Sequence, residues 1–180
     1  MRKIVAIGPE STGKSTICQE LAQYYQTSWV PEYAREYLET NGMNYSYSDL
    51  LTIAKGQLEL ENNIAKELHA HLVSESDNKL LFVDTDMYVM KVWCEYVYGK
   101  CHQYIIDQIV DREYDLYLLC NIDLPWTYDP LREYPTAEPR KELYAIYKDI
   151  LINQNTPWIE ISGDSNERLN GAILAIKQLQ

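Results

Sequence analysis

The stretch Gly8-Pro9-Glu10-Ser11-Thr12-Gly13-Lys14-Ser15 decides the fold, because it matches the phosphate-loop pattern G-x-x-x-x-G-K-S/T. An apolar run at residues 3–7 precedes it, and a helical pattern follows at residues 14–25. The glycines let the backbone curl until successive N–H groups point at phosphate oxygens, and the helix adds its positive N-terminal end. A strand, a loop and a helix in this order predict a P-loop at residues 8–16 rather than an accidental turn.

The loop residues have separate expected roles toward a nucleoside triphosphate. Lys14 is expected to reach the β- and γ-phosphates and to act in catalysis, and the Ser15 hydroxyl is expected to coordinate Mg²⁺. The other residues expected to contact the nucleotide are Gly8, Glu10, Ser11, Thr12, Gly13 and Thr16.

Four further runs rich in β-branched or aromatic residues lie at 28–30, 80–83, 116–120 and 158–161. They are continuously apolar, as strands of a parallel sheet covered by helices on both faces are. Helical patterns separate them at 87–97, 104–112, 138–152 and 166–179, with a longer one from Ser46 or Ser48 through Leu72. The order predicts an α/β fold of the three-layer P-loop NTPase type, as one domain over residues 1–180. Its five-stranded parallel sheet should place the first strand between the third and the fourth.

Composition limits the possible partners. The net charge is −11 without a basic tract, which argues against nucleic acid. No run approaches the roughly 18 apolar residues of a membrane span, and the N-terminal apolar run is too short for a signal peptide. Four cysteines without a CxxC pair predict free thiols in a reducing compartment. We therefore expect a cytoplasmic protein without a membrane partner, whose overall field favours a cationic substrate.

A second acidic motif follows the predicted third strand, within residues 80–86. The strand ends in Asp84-Thr85-Asp86, as a Walker-B strand does when it delivers a carboxylate to the metal. Asp84 is expected to hold Mg²⁺ directly or through water, and Asp86 to contact the substrate. The alternative is that either aspartate caps the next helix.

Glu32 and Arg35 follow the second strand, at the sheet edge where ligands of open parallel sheets bind. Glu32 is expected to hold or deprotonate a substrate hydroxyl, and Arg35 to bind substrate. A solvated or helix-capping glutamate is the alternative.

Residues 125–140 carry four prolines and no regular period, which predicts a functional lid loop. Arg132 and Arg140 could fold over the transferring phosphoryl group as arginine fingers supplied in cis. Surface salt bridges are the alternative for both.

The segment after the predicted fourth strand, Asn121-Ile122-Asp123-Leu124, lacks the lysine of the guanine-reading motif N-K-x-D. A small kinase therefore fits the sequence better than a switch GTPase.

Beyond these motifs, the sequence resembles the NadR-like ribosylnicotinamide kinases over nearly its whole length. The matching stretches are Gly8 to Thr16, Glu32-Tyr33-Ala34-Arg35-Glu36-Tyr37, Ile53-Ala54-Lys55-Gly56-Gln57, Asp84-Thr85-Asp86, Tyr114 to Leu119 and Asp123-Leu124-Pro125-Trp126. The resemblance implies Mg²⁺-dependent transfer of the ATP γ-phosphate to the 5′-hydroxyl of nicotinamide riboside, giving nicotinamide mononucleotide. It also implies a functional link to a separate nicotinamide-nucleotide adenylyltransferase.

A pyridinium substrate needs aromatic faces and a polar partner for its carboxamide. The candidates are Tyr33, Gln57, Trp93, Trp126 and Tyr128. Trp93 also fits a core stripe with Val89 and Val97.

Two other functions stay open: a kinase of another nucleoside or nucleotide, such as a deoxynucleoside kinase, and an ATP sensor without turnover. The intact Lys14, Ser15 and Asp84 argue against the sensor.

Overall fold

The computed structural model describes residues 1–70 and 80–179. In these residues the strands are β1 Arg2–Ile7, β2 Trp29–Val30, β3 Leu80–Asp84, β4 Leu116–Cys120 and β5 Trp158–Ile161. They form one sheet in the order β2-β3-β1-β4-β5, and every neighbouring pair is parallel. The prediction of a central P-loop strand between the third and fourth strands is confirmed. Ala6 pairs with Asp84, so the end of β3 lies beside the start of the P-loop.

The helices of the described residues are α1 Lys14–Tyr25, α2 Tyr33–Asn41, α3 Tyr47–Ala70, α4 Met87–Tyr98, α5 Gln103–Asp111, α6 Ala137–Ile152 and α7 Ser165–Gln178. The predicted helices agree with them to within a residue or two. Helix α2 was not predicted, because only Ala34 and Leu38 in it are buried and its apolar period is short. Leu72, the last apolar residue of the predicted long helix, lies outside the described residues.

Both faces of the sheet are covered, which explains the continuous apolar runs of its strands. Alternate residues of one strand point to opposite faces. Ile4 and Ala6 belong to a core shared with α1 and α7, whereas Val5 and Ile7 belong to a second core shared with α4 and α6. A third cluster joins α2, α3, α4 and α5 beside the β2 edge. The sheet is therefore covered by helices on both faces, and its parallel strands all end on the same side, where the P-loop follows β1.

The predicted lid is irregular only as far as Thr136. Helix α6 begins at Ala137, and Pro139 is accommodated in its first turn, where an N–H would have no helical partner. The last four residues of the predicted lid range, 137–140, therefore overlap the helix that was predicted from residue 138, and Arg140 is a buried residue of that helix. None of the helices within 1–70 and 80–179 is both long and apolar enough to cross a bilayer.

Candidate active site

The P-loop has the curled backbone that phosphate binding requires. Gly8 has φ +142, and a Cβ atom there would lie 2.9 Å from the Cys120 carbonyl oxygen. Ser11 and Gly13 also have positive φ, and Gly13 starts α1 without any side-chain cap. The first N–H groups of α1 are consequently not occupied by a capping side chain, which favours an anion at this end of the helix.

Lys14 points back into the loop that it follows. Its ammonium donates to the Pro9 carbonyl oxygen at 2.9 Å, and the Thr12 hydroxyl donates to the same oxygen at 2.7 Å. The cation is therefore placed against the loop, where it can exchange the carbonyl for a phosphate oxygen. Thr12 is almost fully buried, and its hydrogen bond to the Pro9 carbonyl does not depend on the one from Lys14.

Asp84 and Ser15 meet beneath the loop. The Ser15 hydroxyl donates to Asp84 Oδ2 at 2.5 Å, while the buried Oδ1 atom has no hydrogen-bond partner. Burial, followed by the negative charge of Glu32, raises the pKa of Asp84 to about 6. An unsatisfied carboxylate oxygen next to a hydroxyl is a suitable donor set for Mg²⁺, which takes its other ligands from water and phosphate. Since the described residues contain no cluster of three His, Cys, Asp or Glu ligands, the ion would need those outside oxygens.

Asp86 is occupied elsewhere. Its Oδ1 atom accepts from the Val89 N–H at 3.2 Å as the cap of α4, and its Oδ2 atom accepts from the Tyr117 hydroxyl at 2.9 Å. Burial raises the pKa of Asp86 to about 6. These contacts agree with the capping alternative, and the structure does not place Asp86 in the cavity described next.

A cavity of about 390 Å³ extends from the P-loop across the open edge of the sheet. Its wall beyond the P-loop is largely apolar and aromatic, with Leu38, Met43, Val92, Trp93, Tyr96 and Tyr147. Its polar lining includes Lys14, Glu32, Arg35, Arg132 and Glu133. The volume lies within the range for small-molecule sites, and the lining combines an apolar wall with the polar groups of the P-loop and the lid loop.

Glu32 connects the two parts of this cavity. It lies at the cavity surface, and the Thr85 hydroxyl approaches its Oε1 atom at 3.5 Å. After burial, the negative charge of Glu32 is the second cause of the raised pKa of Asp84. Arg35, one helical turn further on, lines the cavity and forms an ion pair with Asp129 of the lid loop at 2.7 Å.

Besides Asp86, three predicted substrate residues do not line this cavity: Tyr33, Gln57 and Trp126. The Gln57 amide accepts from the Tyr33 N–H at 2.7 Å and donates to the Pro31 and Asp84 carbonyls, so it braces the backbone behind Glu32. The Tyr33 ring packs on α3 at Gly56, where a Cβ atom would lie 2.1 Å from the ring. Trp126 packs edge-to-face against Tyr128 in the lid loop, and Tyr128 is exposed. The structure therefore places only Trp93, of the predicted aromatic candidates, in the cavity wall.

The lid loop is attached to the P-loop through side chains that the phosphate-loop pattern leaves unspecified. The Glu10 carboxylate accepts from the N–H groups of Glu133 and Tyr134, at 2.9 and 2.5 Å. The Ser11 hydroxyl accepts from the Thr127 N–H at 3.0 Å. Glu10 and Ser11 were predicted as nucleotide contacts, and in this structure their side chains hold the lid.

The two predicted lid arginines have different positions. Arg132 lines the cavity and donates to the Thr127 carbonyl, so its guanidinium is anchored within the loop. Arg140 projects from α6 and donates to the Ser11 and Leu124 carbonyls, both at 3.3 Å. Arg140 thus supports the P-loop backbone and does not line the cavity.

Sequence reasoning missed Arg168, which is 4% exposed and lies behind the P-loop. It donates to the carbonyls of Thr12 at 3.0 Å, Asn121 at 3.1 Å and Gly163 at 2.8 Å, and pairs with Asp123. It therefore ties α7 and the end of β4 to the loop. The available signal was an arginine inside an otherwise apolar stripe of the predicted last helix, which alone does not identify its partners.

This sheet order, with a phosphate loop leaving the central strand and an acidic residue ending its neighbour, defines the P-loop NTPase fold. The family model of the AAA domain matches residues 3–168, and the chain belongs to that family.

Among curated proteins, the chain is similar to the trifunctional NAD biosynthesis/regulator protein NadR of Escherichia coli (strain K12), with 28% identity over 165 residues. That match covers 89% of this chain and 38% of the relative. The corresponding NadR of Salmonella typhimurium is 27% identical over 99% of this chain and 43% of the relative. The chain thus spans about two fifths of the length of these relatives.

Solved structures agree on the fold. A crystal structure of NadR protein in complex with NR superposes with a TM-score of 0.76 at 21% identity, over 99% of this chain and 51% of that one. Thymidylate kinase from Ehrlichia chaffeensis superposes with a TM-score of 0.59 at 16% identity, over 99% and 98% of the two chains.

Proposed function

We propose that this protein is a ribosylnicotinamide kinase, which uses ATP and Mg²⁺ to phosphorylate the 5′-hydroxyl of nicotinamide riboside. The observation that carries the proposal is one continuous cavity, which joins the P-loop with Lys14 to an aromatic wall and has Glu32 between them. The curated NadR relatives, together with solved structures of NadR protein in complex with NR and in complex with NAD and AMP-PNP, support this choice of substrate.

The residues of the cavity divide the chemistry between them. Glu32 accepts the proton of the 5′-hydroxyl while the hydroxyl oxygen bonds to the γ-phosphorus. At the same time the bond from the γ-phosphorus to the β,γ-bridging oxygen breaks, which releases ADP. Lys14 and Arg132 neutralise charge on the phosphoryl oxygens. Ser15 and Asp84 would hold Mg²⁺, which when bound neutralises charge on the β- and γ-phosphates. Lid closure by Glu10 and Ser11 excludes water from the transfer.

A nucleoside panel tests the substrate directly. Nicotinamide riboside, deoxyadenosine, deoxycytidine, thymidine and thymidine monophosphate are each incubated with ATP and Mg²⁺, and ADP and the phosphorylated product are quantified by mass spectrometry. The highest kcat/KM is expected for nicotinamide riboside. Preference for thymidine monophosphate would instead favour a nucleotide kinase, which the structural likeness to thymidylate kinase makes the second candidate. The expected product, nicotinamide mononucleotide, carries no adenylyl group. We therefore also propose that a separate adenylyltransferase consumes it.

Glu32→Gln tests the proton acceptor. The amide keeps the shape of the side chain at the cavity surface but cannot take up the hydroxyl proton, so kcat is expected to fall about 10²-fold or more. Affinity for ATP, measured by calorimetry, should stay within about twofold because Glu32 carries no phosphate contact in the proposal. A change confined to KM would make Glu32 a positioning residue. Glu36→Gln, one turn along α2 and outside the cavity lining, is the matched control.

Trp93→Leu tests the aromatic wall. The change keeps apolar bulk but removes the ring face, and one cation–π contact corresponds to roughly a three- to thirtyfold change in binding. We expect KM for nicotinamide riboside to rise by that factor while KM for ATP is unchanged. Since the Trp93 indole N–H also donates to the Tyr45 hydroxyl at 2.9 Å, the melting temperature is measured in parallel. An equal shift of both KM values with a lower melting temperature would identify Trp93 as a core residue only.

A further inference from the structure

The cavity contains a carboxylate that the proposed transfer does not use. Glu133 belongs to the lid loop and directly follows Arg132, and both residues line the cavity. Its backbone N–H is held by Glu10 of the P-loop at 2.9 Å, so the loop is fixed at this residue. Its side chain is directed away from that attachment, toward the loop between α2 and α3.

The carboxylate is held in place by a chain of hydrogen bonds. The Tyr45 hydroxyl lies 2.9 Å from both Glu133 carboxylate oxygens. The Trp93 indole N–H donates to the same hydroxyl at 2.9 Å, and the two rings pack edge-to-face with centroids 5.0 Å apart. Tyr45 is fixed further by Tyr98, whose hydroxyl donates to the Tyr45 carbonyl at 2.9 Å. Glu133 is an exposed residue, and these hydrogen bonds position its negative charge beside the aromatic wall.

The surroundings of Glu133 leave its charge without a cationic partner among the described residues. Arg35 is already paired with Asp129, and Arg132 donates to a backbone carbonyl. Burial, together with the nearby negative charge of Glu10, raises the pKa of the Glu133 carboxyl above its ordinary value, while the bond from Tyr45 opposes this. A cation placed against the aromatic wall would relieve both the repulsion and the missing pairing.

We propose that Glu133, positioned by Tyr45 and Trp93, is the specificity residue that selects a positively charged ring at the acceptor end of the cavity. This inference rests on the proposed function and names the basis on which that site distinguishes its substrate. A charged pyridinium ring would gain both the aromatic face and the carboxylate, whereas a neutral ring of the same shape would gain only the face. The lid residue would thereby couple recognition of the ring to the loop that carries Arg132.

The test compares nicotinamide riboside with its reduced dihydro form, which keeps the ribose and the carboxamide but has no ring charge. Dissociation constants are measured by calorimetry for wild type, Glu133→Gln and the matched control Glu138→Gln, with Mg²⁺ and a non-hydrolysable ATP analogue present. In Glu133→Gln the dissociation constant of the cation is expected to rise about three- to tenfold, the size expected for a partly exposed charge pair. The values for the neutral nucleoside and the ATP analogue should be unchanged, as should all values in Glu138→Gln.

Two further measurements separate the charge from lid structure. Raising the salt concentration should weaken binding of the cation to wild type more than to Glu133→Gln, because a charge pair is screened. Tyr45→Phe, which keeps the carboxylate but loses its anchor, should show a smaller loss for the cation only. An equal loss for both nucleosides, or no loss for the cation, overturns the role of Glu133 while leaving the kinase proposal intact. If wild type binds and phosphorylates neither nucleoside, the proposed function fails and the inference fails with it.

Discussion

Lys14→Ala is expected to lower kcat by about 10²–10³-fold while the protein stays folded. In the structure the Lys14 ammonium donates one hydrogen bond among the described residues, to the Pro9 carbonyl, and Lys14 is not a residue of the hydrophobic core. The Thr12 hydroxyl keeps its own bond to that carbonyl at 2.7 Å and can hold the loop. The cation instead acts on charge that develops on the transferring phosphoryl group, and removing one such group in other enzymes costs about 10²–10³ in kcat.

The measurement is ADP release at saturating ATP and nicotinamide riboside, together with the melting temperature. Lys141→Ala removes an exposed lysine from α6, outside the cavity lining, and should leave both quantities unchanged. Wild-type turnover in Lys14→Ala would contradict the assignment of this residue. A large drop in melting temperature would show that the ammonium-carbonyl contact supports the loop itself, which the bond from Thr12 makes unnecessary.

Asp84→Asn is expected to lower kcat by about 10²–10³-fold at low Mg²⁺, and added Mg²⁺ should restore part of the loss. The amide has the same shape and can still meet the Ser15 hydroxyl, but it carries no charge to hold a divalent ion. Because Oδ1 of Asp84 makes no hydrogen bond in the described structure, the replacement leaves no partner unsatisfied. The melting temperature without nucleotide should therefore not fall.

The readout is a Mg²⁺ titration of kcat for wild type and Asp84→Asn. Asp111→Asn, at the end of α5, removes one carboxylate outside the cavity lining and should follow the wild-type curve. A loss in Asp84→Asn that no Mg²⁺ concentration changes would mean that the carboxylate acts on the substrate directly. A Mg²⁺ curve identical to that of wild type would exclude Asp84 from the metal site.

The fold could be predicted because its signals are local. A continuous apolar run on each strand reports burial on both faces, and the glycines at 8 and 13 allow a curl that few other residues permit. Helix α2 escaped prediction for the opposite reason: it is nine residues long and only two of them reach the core. Helix α6 was predicted to within one residue of its start although Pro139 lies in it, because proline is accepted in the first turn of a helix.

The site was predictable only where one segment carries its own chemistry. Lys14 directly follows the loop, and Ser15 is the next residue, so the pattern alone leads to the roles proposed for both. Gln57 and Asp86 carry side chains suited to a substrate, but the fold uses them to satisfy backbone groups and a buried hydroxyl. Residue type alone cannot distinguish these uses, because a buried polar group must be paired and the partner can come from any part of the chain.

The amino-acid sequence by itself determined the P-loop, the parallel sheet and the central place of β1, since these follow from motif spacing and from continuous apolar runs within short segments. Only the tertiary structure decided which distant side chains support the loop and which face the cavity. Arg168 reaches the Thr12 carbonyl across 156 positions of sequence, and Glu133 meets Tyr45 across 88. Such pairs are brought together by the packing of helices on the sheet, and hydrogen bonds act only over about 3 Å. No pattern within either segment specifies a partner at that range.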